Sequence, residues 1–321
     1  MSYSAVAKRH QKYGKGKHVI EIDEIALARP EDLKQKLIQI FASEAFKPPV
    51  LPTVAFELME LSRRTNINLS EVRVVLERDP MVASSVLKVA QSPIYATRVG
   101  LRSLEDAVCR LGLHGVRDVV WQVVMKMRVF RVPGYDHVMS QIQSHCVATG
   151  HIARAVCGYT SIANDYAFLC GLLHDVGICG VLIAISENRP KAAPELDLLW
   201  PTINEIHAAC GGHMAKMWKL APDIQIVLAE HHRFDPTNMP HPLVATITVA
   251  ERLAQDAGWP ALSEALQSEC GYIDVVPDSR FDAACDALGL TPGTIDLIRA
   301  DVERLREQLG PGQQEATGSA Q

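Results

Sequence analysis

Apolar residues recur at three- and four-residue spacing along nearly the whole chain, and strand-like alternation is almost absent. That pattern predicts an all-α fold. Asp79-Pro80 reads as a helix start, with a capping side chain followed by proline at the first helical position. Val82, Val86, Val89 and Ala90 then mark one face. Ser103-x-x-Asp106 resembles a capping box, Val108 and Leu111 continue at helical spacing, and Gly112 is placed to end that helix. Further helices are predicted over 116–130, stopped by Pro133-Gly134, and over 139–157 and 166–173. Two more, 206–220 and 223–231, are split by Ala221-Pro222, and 244–255 and 294–309 complete the set. Ile20-Glu21-Ile22 is the one short strand candidate, and no internal repeat or heptad array is visible.

The 321 residues suffice for one large or two modest domains, and 48% are apolar, enough to fill a core. A net charge of -5, from 32 basic against 37 acidic residues, argues against a general nucleic-acid binder, which needs an excess of positive charge. Neither a signal peptide nor an apolar run long enough to span a bilayer is recognised, so a cytoplasmic protein without membrane contact is expected. The 8 cysteines form no C-x-x-C pair and read as mostly buried free thiols in a reducing compartment. Residues 1–18, with Lys8, Arg9, Lys12, Lys15 and Lys17 among polar residues and glycines, read as a basic flexible tail, and 310–321 as a disordered one. Between them the expected organisation is an N-terminal helical part over 19–130, a second bundle over 131–260 and closing helices over 261–309. Lys34 and Lys36, with Glu31 and Asp32, fit an exposed N-terminal helix with acidic residues in its first turn.

Seven residues could carry chemistry: His145, the pair His174-Asp175, His207, the pair His231-His232, and Glu251. Each lies on or at the end of a predicted helix. Together they offer imidazole nitrogens and carboxylate oxygens, the ligands that suit Fe, Mn, Zn or Ni. A two-metal site of this make-up generates hydroxide at neutral pH and clamps the oxygens of a phosphodiester. Taken singly, each histidine also fits a hydrogen-bonded core position. Asp175 follows an apolar stretch beside Gly177, read here as a flexible glycine, so burial requires a partner. Metal and a neighbouring imidazole or guanidinium are both open at this stage, as is surface pairing of Glu251 with Arg252 or Arg154. Trp121, Met125 and Met127 read as core, and Arg63-Arg64 and the arginines at 98 and 102 as solvated.

The run Leu173-His174-Asp175-Val176-Gly177, with His145 upstream and His207 and His231-His232 downstream, resembles the HD superfamily of metal-dependent phosphohydrolases. The likeness sharpens to its HDOD branch. Asp79-Pro80 through Ala90-Gln91-Ser92 resembles that branch's "DP…LxxxANS" helix. Ser103-Leu104 to Leu111-Gly112 resembles "SIxxAIxxLG", and His207-Ala208 to Leu220-Ala221-Pro222 resembles "HAxxG…W.LP". The resemblance implies a multi-helix HDOD fold, an N-terminal bundle packed on a degenerate HD-type bundle, with the seven residues as its tentative metal ligands.

The same comparison weakens a catalytic reading. The sister HD-GYP branch, which hydrolyses cyclic di-GMP, carries HD-x-G-K, whereas Ile178 follows Gly177 here. An ammonium meets phosphate charge; an isoleucine does not. The HD-GYP loop is broken too: the chain reads His231-His232-Arg233-Phe234-Asp235-Pro236 where HHE-x-x-DG stands in that branch. The superfamily's last ligand is usually Asp, and Glu251 is the candidate in its place. The resemblance therefore implies a bacterial signalling module. It would act through two-component or cyclic di-GMP proteins, as a monomer or homodimer, without turnover and with little tightly bound metal. The alternative is a metal-dependent phosphohydrolase acting on a cyclic dinucleotide or other phosphoester.

Overall fold

A computed structural model describes residues 22–23, 29–44, 46–64, 66–95, 100–101, 103–162, 165–188, 193–234, 241–271 and 276–309. Both tails, the strand candidate apart from Ile22, the arginines at 98 and 102, and the loop 235–240 lie outside the described residues. Among the described residues there are fourteen α-helices and no strand. In chain order they are α1 (Pro30–Ala42), α2 (Thr53–Leu61), α3 (Leu69–Glu77), α4 (Pro80–Ala90), α5 (Leu104–Arg128), α6 (Asp136–Gly158) and α7 (Ala167–Leu173). Then follow α8 (Val176–Glu187), α9 (Leu196–Met217), α10 (Pro222–Glu230), α11 (Pro242–Asp256), α12 (Glu264–Glu269), α13 (Asp278–Leu288) and α14 (Pro292–Leu309).

The local signals act as expected. Asp79 caps α4 by accepting from the backbone N–H of Met81 and Val82, with Pro80 at the first position. Ser103 caps α5 by accepting from Asp106 N–H. Gly112 ends the first segment of α5 at φ 64°, a conformation that costs other L-residues, and the helix resumes after the kink. On α1, Glu31 and Asp32 stand in the first turn. That helix is half-buried rather than exposed, because Leu33, Leu37, Ile40 and Phe41 seat it against α8 and α9. α2, α3, α12 and α13 form where no helix is expected from the sequence. Two further departures have physical causes. α9 begins at Leu196, ten residues before the predicted start, and carries Pro201 within its first two turns, where few backbone bonds are lost. α8 is buried all round, so it shows no face contrast to read.

The expectation that no apolar run could span a bilayer is corrected. Ala167–Glu187 is 21 residues long, and an 18-residue window within it reaches a mean hydropathy of 2.2, long and apolar enough to cross a membrane. That window is 94% buried inside the fold as α7 and α8, broken by His174 and Asp175, and forms core. Trp121 and Met125 are fully buried as expected, and Met127 packs against the same core. Most described cysteines are buried free thiols, but Cys109 is exposed and Cys270 half-buried.

Helices α2, α3 and α4 pack on α5. Where α5 meets α7, a buried charged network joins the elements. Asp118, 1% exposed, accepts from Arg117 Nε at 2.9 Å and bonds Arg154 of α6. Arg117 also bonds the Asp165 carbonyl just before α7. The second group of helices is held by close crossings of α6 with α7, α8 with α9, α9 with α10, and α11 with α6. Glycines set two of these distances. A Cβ on Gly171 of α7 would stand 2.6 Å from Gly150 Cα of α6, and one on Gly177 of α8 would stand 1.8 Å from the His207 carbonyl oxygen of α9. Gly177 is therefore a packing glycine within a helix, not the flexible glycine expected, because the two backbones touch there.

Candidate metal centre

These crossings bring the seven residues, spread over a hundred positions, to one place. His145 comes from the middle of α6, His174 and Asp175 from the break between α7 and α8, and His207 from α9. His231 and His232 follow the end of α10, and Glu251 lies on α11. His145, His174, Asp175, His207, His231 and Glu251 are each at most 4% exposed, and His232 is half-buried.

Four imidazoles are oriented by backbone carbonyls. The Nδ1 of His145 bonds the Trp259 carbonyl at 2.7 Å, that of His174 the Gly171 carbonyl at 2.8 Å, that of His207 the Ile203 carbonyl at 3.0 Å, and that of His231 the Leu228 carbonyl at 3.2 Å. A carbonyl only accepts, so each Nδ1 carries the hydrogen, and each neutral ring turns its Nε2 lone pair inward. This is the tautomer that metal-ligating histidines adopt.

Asp175 stands between the rings. Its Oδ1 lies 3.4 Å from Nε2 of both His207 and His231, and its Oδ2 lies 3.2 Å from His174 Nε2 and 3.9 Å from His145 Nε2. The one carboxylate faces two groups of donors. Asp175, His207, His231 and His232 form the first, and His145, His174 and Glu251 the second, with ligand atoms within 4.8 Å of one another in each. Surface pairing of Glu251 does not hold: the residue is 3% exposed, Arg252 bonds Asp256 and Asp278, and Arg154 bonds Asp118.

Two observations test whether a divalent ion fits. His145 Nε2 and His174 Nε2 approach to 3.2 Å while both Nδ1 atoms are committed to carbonyls. Two lone pairs that close need a proton or a cation between them. His231 Nε2 is buried with no hydrogen-bond partner, 3.4 Å from Asp175 Oδ1. Donors about 2.1 Å from a tetrahedral ion stand roughly 3.4 Å apart, which matches the separations around Asp175. The donor set fits.

Without an ion, charge settles on His174. Burial opposes it, yet the adjacent Asp175 carboxylate and its hydrogen bond hold the imidazolium well above the ordinary histidine value. Burial likewise opposes ionisation of Asp175, but the charge on His174 beside it keeps it well below the usual carboxylate range. Burial pushes His145 down to about 4, helped by the charge on His174, and pushes His231 down to about 4. His232 is lowered too, by burial and by His231 and His207.

Sequence reasoning missed Cys146. Its Sγ forms a third donor group with His174 and Asp175, within the same 4.8 Å limit. In sequence it is one of several apolar-flanked thiols, and spacing gives no sign that residue 146 faces the site alongside 145.

The sequence profile described as "HDOD domain" matches residues 49–234. An uncharacterized protein of Treponema pallidum (strain Nichols) is 23% identical over 250 residues, 71% of this chain; the chain spans about half (47%) of that relative's length. Among solved structures, an HDOD domain protein of unknown function from Geobacter sulfurreducens superposes with a TM-score of 0.60 at 20% identity, covering 86% of this chain and 99% of its own. A provisionally named metal-dependent phosphohydrolase from Shewanella amazonensis SB2B gives 0.59 at 20% identity over 85% and 99%. A provisionally named signal transduction protein from Marinobacter aquaeolei VT8 gives 0.59 at 19% identity over 90% and 66%. At these identities the likeness establishes the fold.

Proposed function

The chain belongs to the HDOD domain family, and from that premise we propose that it is a signal-transduction module that keeps a divalent-metal centre but does not turn over cyclic dinucleotides. The observation that carries the first half is the convergence of six donor residues around Asp175, four of them imidazoles turned inward by backbone carbonyls. Asp175, His207, His231 and His232 would hold one ion, and His145, His174 and Glu251, with the other Asp175 oxygen, a second. The ion is Fe, Mn, Zn or Ni by donor chemistry. When bound it would supply Lewis acidity and a low-pKa water. The geometry thus favours a filled centre over the sparsely metallated one expected from sequence.

The second half rests on what surrounds the donors. Ile178, where the HD-GYP resemblance implies a lysine, is 2% exposed and belongs to the hydrophobic core. A missing cation leaves developing phosphate charge without a partner worth several kcal/mol. The module would act on two-component or cyclic di-GMP proteins in the cytoplasm, as a monomer or homodimer. A second reading, a metal-dependent phosphohydrolase, draws on the same donor set.

Metal analysis and a turnover assay separate the two. Purified protein is expected to hold transition metal removable by chelator, and to leave cyclic di-GMP intact with Mn or Fe added. Hydrolysis that vanishes in folded His174→Ala and Asp175→Ala variants would replace the signalling reading with the phosphohydrolase.

A further inference from the structure

Cys146 has a place in the fold that a filler thiol does not need. It follows His145 on α6, so the two side chains leave the helix about 100° apart. Ordinarily only one of two such neighbours reaches a given point. Here the contact of α6 with α7 changes that. Cys146 and Gly150 share a face, four residues apart, and Gly150 is where the α7 backbone, at Gly171, comes into contact. His174 lies three residues beyond Gly171, so the face that meets α7 also carries Cys146 toward His174 and Asp175. The side chain is fully buried, and its Sγ lies within 4.8 Å of ligand atoms of His174 and Asp175. Beside it lies the opposed pair of Nε2 atoms of His145 and His174, 3.2 Å apart.

We propose that Cys146 Sγ is a further ligand on the His145/His174/Asp175 side of the centre, which makes that side a mixed nitrogen, oxygen and sulfur site. The inference rests on the metal-centre reading above and narrows it. Soft thiolate ligands select Zn and Fe over Mn, and a coordinating thiol gives up its proton to the metal's charge. The site is then one for Zn(II), Fe(II) or Co(II) rather than for an all-oxygen-preferring ion such as Mg(II) or Mn(II).

Cobalt(II) reports the ligands directly, without any activity assay. The full chain, stripped with chelator and loaded with Co(II), should show visible d–d bands together with a strong thiolate-to-cobalt charge-transfer band in the near ultraviolet. Cys146→Ser should keep the visible bands and lose the charge-transfer band, while Cys179→Ser keeps both. The preference for Zn(II) over Mn(II) in competition should fall by about tenfold or more in Cys146→Ser. Visible bands without charge transfer in the parent, or charge transfer that survives in Cys146→Ser, would overturn the thiolate ligand and leave the metal centre standing. If no cobalt spectrum forms at all in the folded parent, both readings fall. A thermal melt of each variant separates lost ligation from lost folding.

Discussion

Gly177→Ala tests whether the crossing of α8 and α9 positions the centre. The new Cβ would fall 1.8 Å from the His207 carbonyl oxygen and 2.7 Å from Gly211 N. A carbon–oxygen contact normally stands no closer than about 3.3 Å, so the helices must part by roughly 1.5 Å. Overpacking costs about 1–3 kcal/mol, and this case belongs at the upper end because two backbones meet and neither has a rotamer to change. Better helix propensity returns at most about 1 kcal/mol. The net loss is about 2 kcal/mol, a drop in Tm of roughly 4–8 °C. The shift moves His207 away from Asp175, 3.4 Å distant, so metal affinity should fall about 10–100-fold, the scale of a disturbed ligand support. Calorimetric melts and zinc titrations measure the two effects. Gly211→Ala is the control: its Cβ would meet nothing nearer than 3.5 Å, so stability and affinity should hold. Parental stability and affinity in Gly177→Ala would refute the account of the crossing.

Further expectations concern charge. Asp118→Ala leaves the 2% exposed Arg117 guanidinium with only the Asp165 carbonyl and the Ser62 hydroxyl and should cost about 3 kcal/mol in denaturant unfolding, whereas Arg117→Met with Asp118→Leu should recover most of it. Failure of the double change to recover stability would assign Asp118 a role beyond charge pairing. Stability of the metal-free protein should fall as pH drops from about 7 toward 4. Burial holds His145, His231 and His151 down to about 4, so the unfolded chain, titrating near about 6.5, takes up protons the native state refuses. His174 acts in the opposite sense: its raised value gives stability that is full below about 6.5 and is lost as pH rises through the folded value. The three lowered rings outweigh it, and a flat profile across that range would contradict this. Saturating Zn(II), at about 100 times Kd, should add about 2.7 kcal/mol in the parent and nothing in Asp175→Ala, read as a shift in Tm.

The helical period, the caps at Asp79 and Ser103 and the breaks at Gly112 and Ala221-Pro222 are local facts, and they were legible because each depends on residues within one turn. α8 was not, since a helix buried on every side has no polar face to mark its period. The candidate donors were legible only in combination and through the HDOD resemblance, since each histidine singly also fits a hydrogen-bonded core position. The sequence by itself thus determined the all-α class, most of the longer helices and seven candidate donors, but not α2, α3, α8, α12 or α13, nor the place of Cys146. Only the tertiary structure decided the rest: that Glu251 turns inward, that Gly177 is pressed against α9, and that Cys146 joins the centre. Those outcomes depend on how closely helices distant in sequence approach, and that distance is set where Gly150 meets Gly171 and Gly177 meets His207, not by anything within reach of either residue along the chain.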